Sequence, residues 1–204
     1  MLERLVQESS KYPSIQQSII TLKKEGSIGR QLQQQGFEVV SMGMESLFSA
    51  PIILYKLMQI FRLSRPDVVY TWMYHADLIG GLAAFLARIK NIIWGIRNSK
   101  IPQRRFSVTH VIIKICSILS FYIPNKIVCC AEAAKLAHIE LGFCATKMVV
   151  IPNGYDLSSF KPSFDLRRRV RKDLGLLEPT IILSGYLKSL IASPSLRNSG
   201  LEII

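Results

Sequence analysis

Three polar stretches hold the side chains best suited to chemistry: Met73-Tyr74-His75-Ala76, Arg97-Asn98-Ser99-Lys100 and Ala131-Glu132. Each comes at the end of an apolar run, DVVYTW (67–72), NIIWGI (91–96) or KIVCCA (126–131). The imidazole of His75 can donate a hydrogen bond to a hydroxyl or a phosphate oxygen. The guanidinium of Arg97 has the planar fork that fits phosphate oxygens, and Asn98 lies beside it. Each also has a plainer role open to it: His75 as the cap of a helix starting at Ala76, Arg97 as a solvated loop residue. For Glu132 the favoured role is that of a carboxylate complementing a helix amino terminus.

The elements that must position these residues alternate regularly. A helix over 2–10 precedes a strand in Ile15–Leu22, a short helix over Ser27–Gly36 and a strand over Phe37–Met42. The run APIILYKLMQIFRLSRP has helical apolar spacing and stops at Arg65-Pro66, because the residue before proline resists helical angles. Then come the strand 67–72, a helix over Ala76–Lys90 rich in small residues, the strand Asn91–Ile96 and a helix over about 106–122. The strand Lys126–Ala131, the helix Glu132–Gly142 and the strand Lys147–Pro152 complete the pattern. Apolar runs of strand length separated by helices predict an α/β fold: a Rossmann-like parallel sheet with helices on both faces. In such sheets ligands sit beyond the carboxyl ends of the strands, where the three polar stretches fall.

Composition sets outer bounds. The 204 residues suffice for one good-sized domain, and 49% hydrophobic content supports a real core. A net charge of +12 favours anionic partners: nucleic acid, anionic headgroups, or sugar and nucleotide phosphates. Cys116, Cys129, Cys130 and Cys144 form no C-x-x-C pair, and His75, His110 and His138 lack metal-ligand spacing, so no metal site is expected. Glu3, Arg4 and Gln7 interrupt any apolar leader. The stretch Val111–Ile123 is apolar but too short to span a bilayer and carries Lys114, which predicts a buried or surface-lying helix.

Four segments in order, RPDVVYTWMYHADLIGGLAA, IIWGIRNSKI, IVCCAEAAKLAHIELGF and KMVVIPNGYDLSSFKP, resemble the amino-terminal domain of glycosyltransferase family 4, one half of a GT-B fold. The likeness runs from about Leu2 to Leu176. It implies an acceptor-side domain over 1–152 without its first strand, a crossover and basic helix over 153–176, and an aberrant or cut-short start of a second domain over 177–204. His75 matches the family's histidine near donor sugar and acceptor, the candidate catalytic residue. Arg97 and Asn98 then bind acceptor or donor phosphate, Glu132 marks the cleft edge, and Asn153, Gly154 and Asp156 shape the crossover, Gly154 through its backbone freedom. The family usually has serine before this glutamate; Ala131 removes that capping hydroxyl. Glu132 and Glu140 mimic the spacing of the family's glutamate pair, but that pair belongs to the second domain, so the match is coincidental.

The resemblance further implies a retaining transfer from a nucleotide-sugar donor to a lipid-linked or polysaccharide acceptor, in cell-surface polysaccharide or glycolipid assembly, with no cofactor and no obligatory metal. An absent first strand would leave its neighbours without a pairing partner, and a chain without the second domain is expected to be inactive alone. It would be cytoplasmic and peripheral at the inner face of the membrane. The alternative is a non-catalytic remnant that binds anionic membrane or a partner protein. The run Arg167-Arg168-Arg169-Val170-Arg171-Lys172 fits the family's basic helix after the crossover, and without a recognised motif nucleic acid is not an expected partner.

Overall fold

Among the described residues the β-branched runs form six strands, each paired in parallel with its neighbours. They are β1 (Ser18–Thr21), β2 (Glu38–Ser41), β3 (Val68–Trp72), β4 (Asn91–Ile96), β5 (Lys126–Cys129) and β6 (Met148–Val150). The computed structural model describes residues 2–98, 107–154 and 161–175. Its chain divides after Asn153 into two compact units, 1–153 and 154–204. The first contains all six strands, but not as one sheet: β1 pairs only with β2, and β3–β4–β5–β6 form a separate four-stranded sheet. In the larger sheet Thr71 lies opposite Trp94, Trp94 opposite Ile127, and Ile127 opposite Met148.

Alternation along these strands gives the larger sheet two unlike faces. Val69, Thr71, Ile92, Trp94, Ile96, Ile127, Cys129 and Met148 form a buried face. Helices α3 (Ala50–Ser64), α4 (Tyr74–Leu86), α5 (Val108–Leu119) and α6 (Glu132–Glu140) join them in one core through Ile53, Leu57, Phe61, Ala83, Ile113, Cys116 and Ala134. The small residues of α4 have a steric reason. A Cβ on Gly81 would lie 2.5 Å from Nε1 of the fully buried Trp94, so only glycine lets helix and strand approach this closely. The other face carries Tyr70, Trp72, Gly95, Arg97 and Cys130, and its side chains are largely half-buried.

Two short helices, α1 (Leu2–Ser9) and α2 (Ser27–Gln34), accompany the smaller sheet, with Val6 and Leu32 buried. Helix α3 ends where the Arg65-Pro66 reading places it, with Arg65 in the left-handed region at φ 45°. Ser107 caps α5 by accepting a hydrogen bond from the backbone N–H of His110 at 3.2 Å. In the second unit the described element is α7 (Phe164–Asp173), capped by Ser163, with Asp165 in its first turn and Arg171 and Lys172 in its last. That order of charges complements the helix dipole. Arg167, Arg168 and Arg169 are exposed there. The apolar stretch TIILSGYL (180–187) falls outside the described residues.

Candidate functional site

The strands of the larger sheet all end at one edge, and β3 turns into α4 there through a single residue, Met73. Its backbone has φ 75° and ψ 148°, a combination that glycine tolerates and side chains resist. Two hydrogen bonds hold it: the Met73 N–H donates to the Gly95 carbonyl at 3.3 Å, and the Met73 carbonyl accepts from the Asp77 N–H at 2.9 Å. Helix α4 therefore starts at Tyr74, and His75 lies within its first turn rather than capping a helix from Ala76. Partial burial lowers the His75 pKa, and the nearby charge of Lys23 adds to the effect. The imidazole is accordingly neutral at pH 7 and can donate from one nitrogen while accepting at the other.

Lys23 belongs to the loop that follows β1. The Lys23 carbonyl accepts hydrogen bonds from Thr21 Oγ1 at 2.9 Å and Ser41 Oγ at 2.8 Å, which pins that loop across both strands of the smaller sheet. Lys23 thus puts a positive charge near the neutral imidazole, and the pair suits an anionic ligand.

Beneath the turn lies a buried polar support. Asp77 is 1% exposed and accepts from Thr71 Oγ1 at 2.6 Å. Burial pushes its carboxyl up to about 8, with the hydrogen bonds from Thr71 and the Gly95 backbone opposing the shift. Tyr74 bonds His138 of α6, with its hydroxyl 2.7 Å from Nε2. His138 Nδ1 lies 2.7 Å from the Ala134 carbonyl, which can only accept, so Nδ1 carries the proton and Nε2 accepts from Tyr74. Burial lowers the His138 pKa and raises the Tyr74 hydroxyl to about 12, so both partners are neutral. The bond ties the start of α4 to α6.

Arg97, one residue past β4, folds back over the sheet face opposite α4. Its guanidinium carbon lies 4.1 Å from the centre of the Trp72 ring system, Nη2 donates to the Tyr70 hydroxyl at 3.0 Å, and Nη1 donates to Asn153 Oδ1 at 3.0 Å. Gly95 makes room for this arrangement, because a Cβ there would meet Tyr70 Cε2 and the Thr71 carbonyl, each at 3.0 Å. Arg97 is half-buried, and its Nε has no partner. Tyr70 and Asn153 occupy one donor on each terminal nitrogen, leaving the other N–H groups for a ligand.

Of the residues singled out from the sequence, the structure joins Arg97 to Asn153. His75 shares the carboxyl edge with Arg97, yet no hydrogen bond links them. Asn98 is exposed just beyond Arg97. Glu132 is the exposed first residue of α6, and Ala131 before it makes no side-chain cap. Gly154 departs from expectation: its φ is not in the left-handed region, and a Cβ there would meet nothing within 4 Å, so the turn does not require glycine. Asp156, Ser99 and Lys100 lie outside the described residues. The residues that sequence reasoning missed are Lys23, Tyr70 and Trp72, and it gave no role to the backbone of Met73. The polar loop LKKEGS after a strand was a usable signal for Lys23, and the alternation of Tyr70 and Trp72 along β3 was one for their shared face. Nothing in the sequence marks the Met73 backbone.

A family model described as Glycosyltransferase Family 4 matches residues 16–159. The chain belongs to glycosyltransferase family 4. This membership agrees with the parallel α/β fold and with the GT-B, Rossmann-like architecture expected from the sequence. A curated relative is the Escherichia coli UDP-Gal:α-D-GlcNAc-diphosphoundecaprenol α-1,3-galactosyltransferase, 26% identical over 142 residues. That match covers 69% of this chain and 35% of the relative. Among solved structures, Anabaena HepE in complex with UDP superposes with a TM-score of 0.69 at 21% identity, covering 87% of this chain and 47% of HepE. The Neisseria meningitidis UDP-GlcNAc 2-epimerase bound to UDP-GlcNAc reaches a TM-score of 0.59 at 14% identity, covering 89% of this chain and 52% of the epimerase. The chain thus spans about a third of the curated relative's length and about half of each solved structure. At these identities the structural likenesses establish the fold alone, and the epimerase is a reminder that this fold serves more than one activity.

Proposed function

We propose that this chain supplies the acceptor side of a retaining glycosyltransferase, which moves a sugar from a nucleotide-sugar donor to a lipid-linked or polysaccharide acceptor. The observation that carries this reading is the carboxyl edge itself, where the neutral imidazole of His75 sits near Lys23 while Arg97 and Asn98 follow the adjacent strand. A diphosphate would be drawn by the two cations, and His75 would hydrogen-bond a sugar hydroxyl or phosphate oxygen as charge develops in transfer. Membership of family 4 supports sugar transfer as the reaction, and the curated relative's diphosphoundecaprenol acceptor supports a lipid-linked acceptor. Cell-surface polysaccharide or glycolipid assembly is the corresponding process, with the protein on the cytoplasmic side and peripheral at the membrane.

Turnover by the chain alone is expected to be negligible, because the residues described here hold the acceptor side. The test uses a short-chain polyprenyl diphosphate-sugar and a panel of labelled nucleotide sugars. The expected result is acceptor binding that His75→Ala and Arg97→Ala each weaken, with no labelled product. Absence of binding, binding indifferent to both substitutions, or rapid turnover by the chain would overturn the reading.

A further inference from the structure

We infer that Asp77 is the positioning residue of this site: its carboxyl clamps the turn between β3 and α4 and so fixes the direction of the His75 ring. The inference deepens the proposed function and rests on His75 as a contact to the ligand. Asp77 lies two residues beyond His75 in the first turn of α4, but it is 1% exposed where His75 is half-buried, so it acts from beneath the site. Two connections run from it to Met73. The direct one is backbone, the Asp77 N–H donating to the Met73 carbonyl at 2.9 Å. The other passes through the side chain: the Gly95 N–H donates to the Asp77 carboxyl, and the Gly95 carbonyl accepts from the Met73 N–H at 3.3 Å. Thr71 Oγ1 donates to the same carboxyl at 2.6 Å and holds it from β3. Thr71, Gly95 and Asp77 thus enclose the residue that leads into His75.

The clamp has a strained backbone to hold. Met73 takes φ 75° and ψ 148°, and its side chain is 45% exposed, so packing of that side chain does little to keep it there. The work falls to its two hydrogen bonds, which go to Gly95 and Asp77. Burying a carboxyl costs stability that an apolar side chain of similar size would not. An apolar residue at 77 would fill the space, but it would leave the Gly95 N–H without its acceptor and Thr71 Oγ1 with only the Ile93 carbonyl, at 3.3 Å. Met73 would then relax toward ordinary angles. The ring of His75, two residues on, would turn toward solvent and lose the burial and the Lys23 charge that hold its pKa down.

The test applies two readouts to the full chain: NMR titration of the histidine rings, with His75 assigned through His75→Ala, and calorimetry of a short-chain polyprenyl diphosphate-sugar. Asp77→Ala is expected to raise the His75 pKa toward the ordinary value of about 6.5 and to weaken binding by about tenfold, with unchanged circular dichroism. Asp77→Asn keeps an accepting oxygen and is expected to stay within about twofold of the wild type in affinity, with the His75 pKa unmoved. Adding Met73→Gly to Asp77→Ala is expected to recover most of the lost affinity, because glycine tolerates the angles of the turn unaided. A mere loss of packing at 77 would gain nothing from glycine at 73. Thr71→Val releases the carboxyl from β3 and is expected to move both readouts in the same direction, affinity by about threefold, which keeps the test open should Asp77→Ala not fold. An unmoved His75 pKa in Asp77→Ala or Thr71→Val, an equal shift at His110 and His138, or no rescue by Met73→Gly would each overturn the inference. A wild-type protein that binds no ligand would count against the transfer reading alone, since the His75 titration of the free protein still decides this one.

Discussion

Replacing Asp77 by asparagine isolates the cost of burying one carboxyl under the candidate site. Asp77 is fully enclosed, and its carboxyl is pushed up to about 8, against an ordinary value of about 3.9. Between those values the folded chain keeps a proton that the unfolded chain has released. The stability associated with this proton is therefore greatest below about pH 4 and is lost as pH rises toward 8, by about 1.4 kcal/mol per pH unit and roughly 6 kcal/mol in all. Asparagine retains an oxygen to accept the Thr71 hydroxyl and cannot ionise. The variant should gain on the wild type by about 3 kcal/mol between pH 5 and pH 7, a large share of a typical domain's stability. Urea unfolding followed through tryptophan fluorescence measures this directly, since Trp94 is buried beside α4. Contributions from other titrating groups, His138 among them, are shared by both proteins and cancel in the difference. A difference that stays constant with pH would refute the reasoning, because Asp77 would then ionise as freely folded as unfolded.

Other consequences can be checked alongside. Gly81→Ala forces a methyl group toward Trp94 Nε1 and should destabilise the fold by about 1–3 kcal/mol in the same unfolding assay. Tyr74→Phe leaves His138 Nε2 buried without a donor and should cost about 1–3 kcal/mol at neutral pH. His138 has a lowered pKa in the folded state, so the stability linked to its neutral form is present above about pH 6.5 and lost as pH falls below it; replacing His138 by glutamine should flatten that acid limb in an acid-unfolding titration. Arg97→Lys gives up the planar fork that reaches both Tyr70 and Asn153 and should weaken diphosphate binding by about tenfold or more, measured by calorimetry.

The sequence disclosed the elements where local signals and tertiary packing agree. NIIWGI is an uninterrupted apolar run, and β4 occupies those six residues. Proline after Arg65 ended α3 as expected. Local signals failed where long-range contacts decide. The division of the strands into two sheets depends on pairing across the chain. Helix α4 starts earlier than at Ala76 because hydrogen bonds to Gly95 and Asp77 hold Met73 in a backbone state its side chain disfavours. Arg97 could have pointed in several directions, and the ring of Trp72 and the side-chain oxygen Oδ1 of Asn153, 56 residues away, fix its course. The Pro-Asn-Gly sequence suggests a glycine-dependent turn, yet the φ of Gly154 lies outside the left-handed region that would demand glycine.

The claim that this edge receives a diphosphate-bearing acceptor is tested most directly at His75. In an NMR titration of the histidine ring protons, the free protein should show His75 titrating below the ordinary value of about 6.5, held down by burial and by Lys23. Saturation with a short-chain polyprenyl diphosphate-sugar should move that pKa upward, because an anion beside the ring offsets the lysine charge and favours the imidazolium. An unchanged His75 pKa at saturation would contradict it.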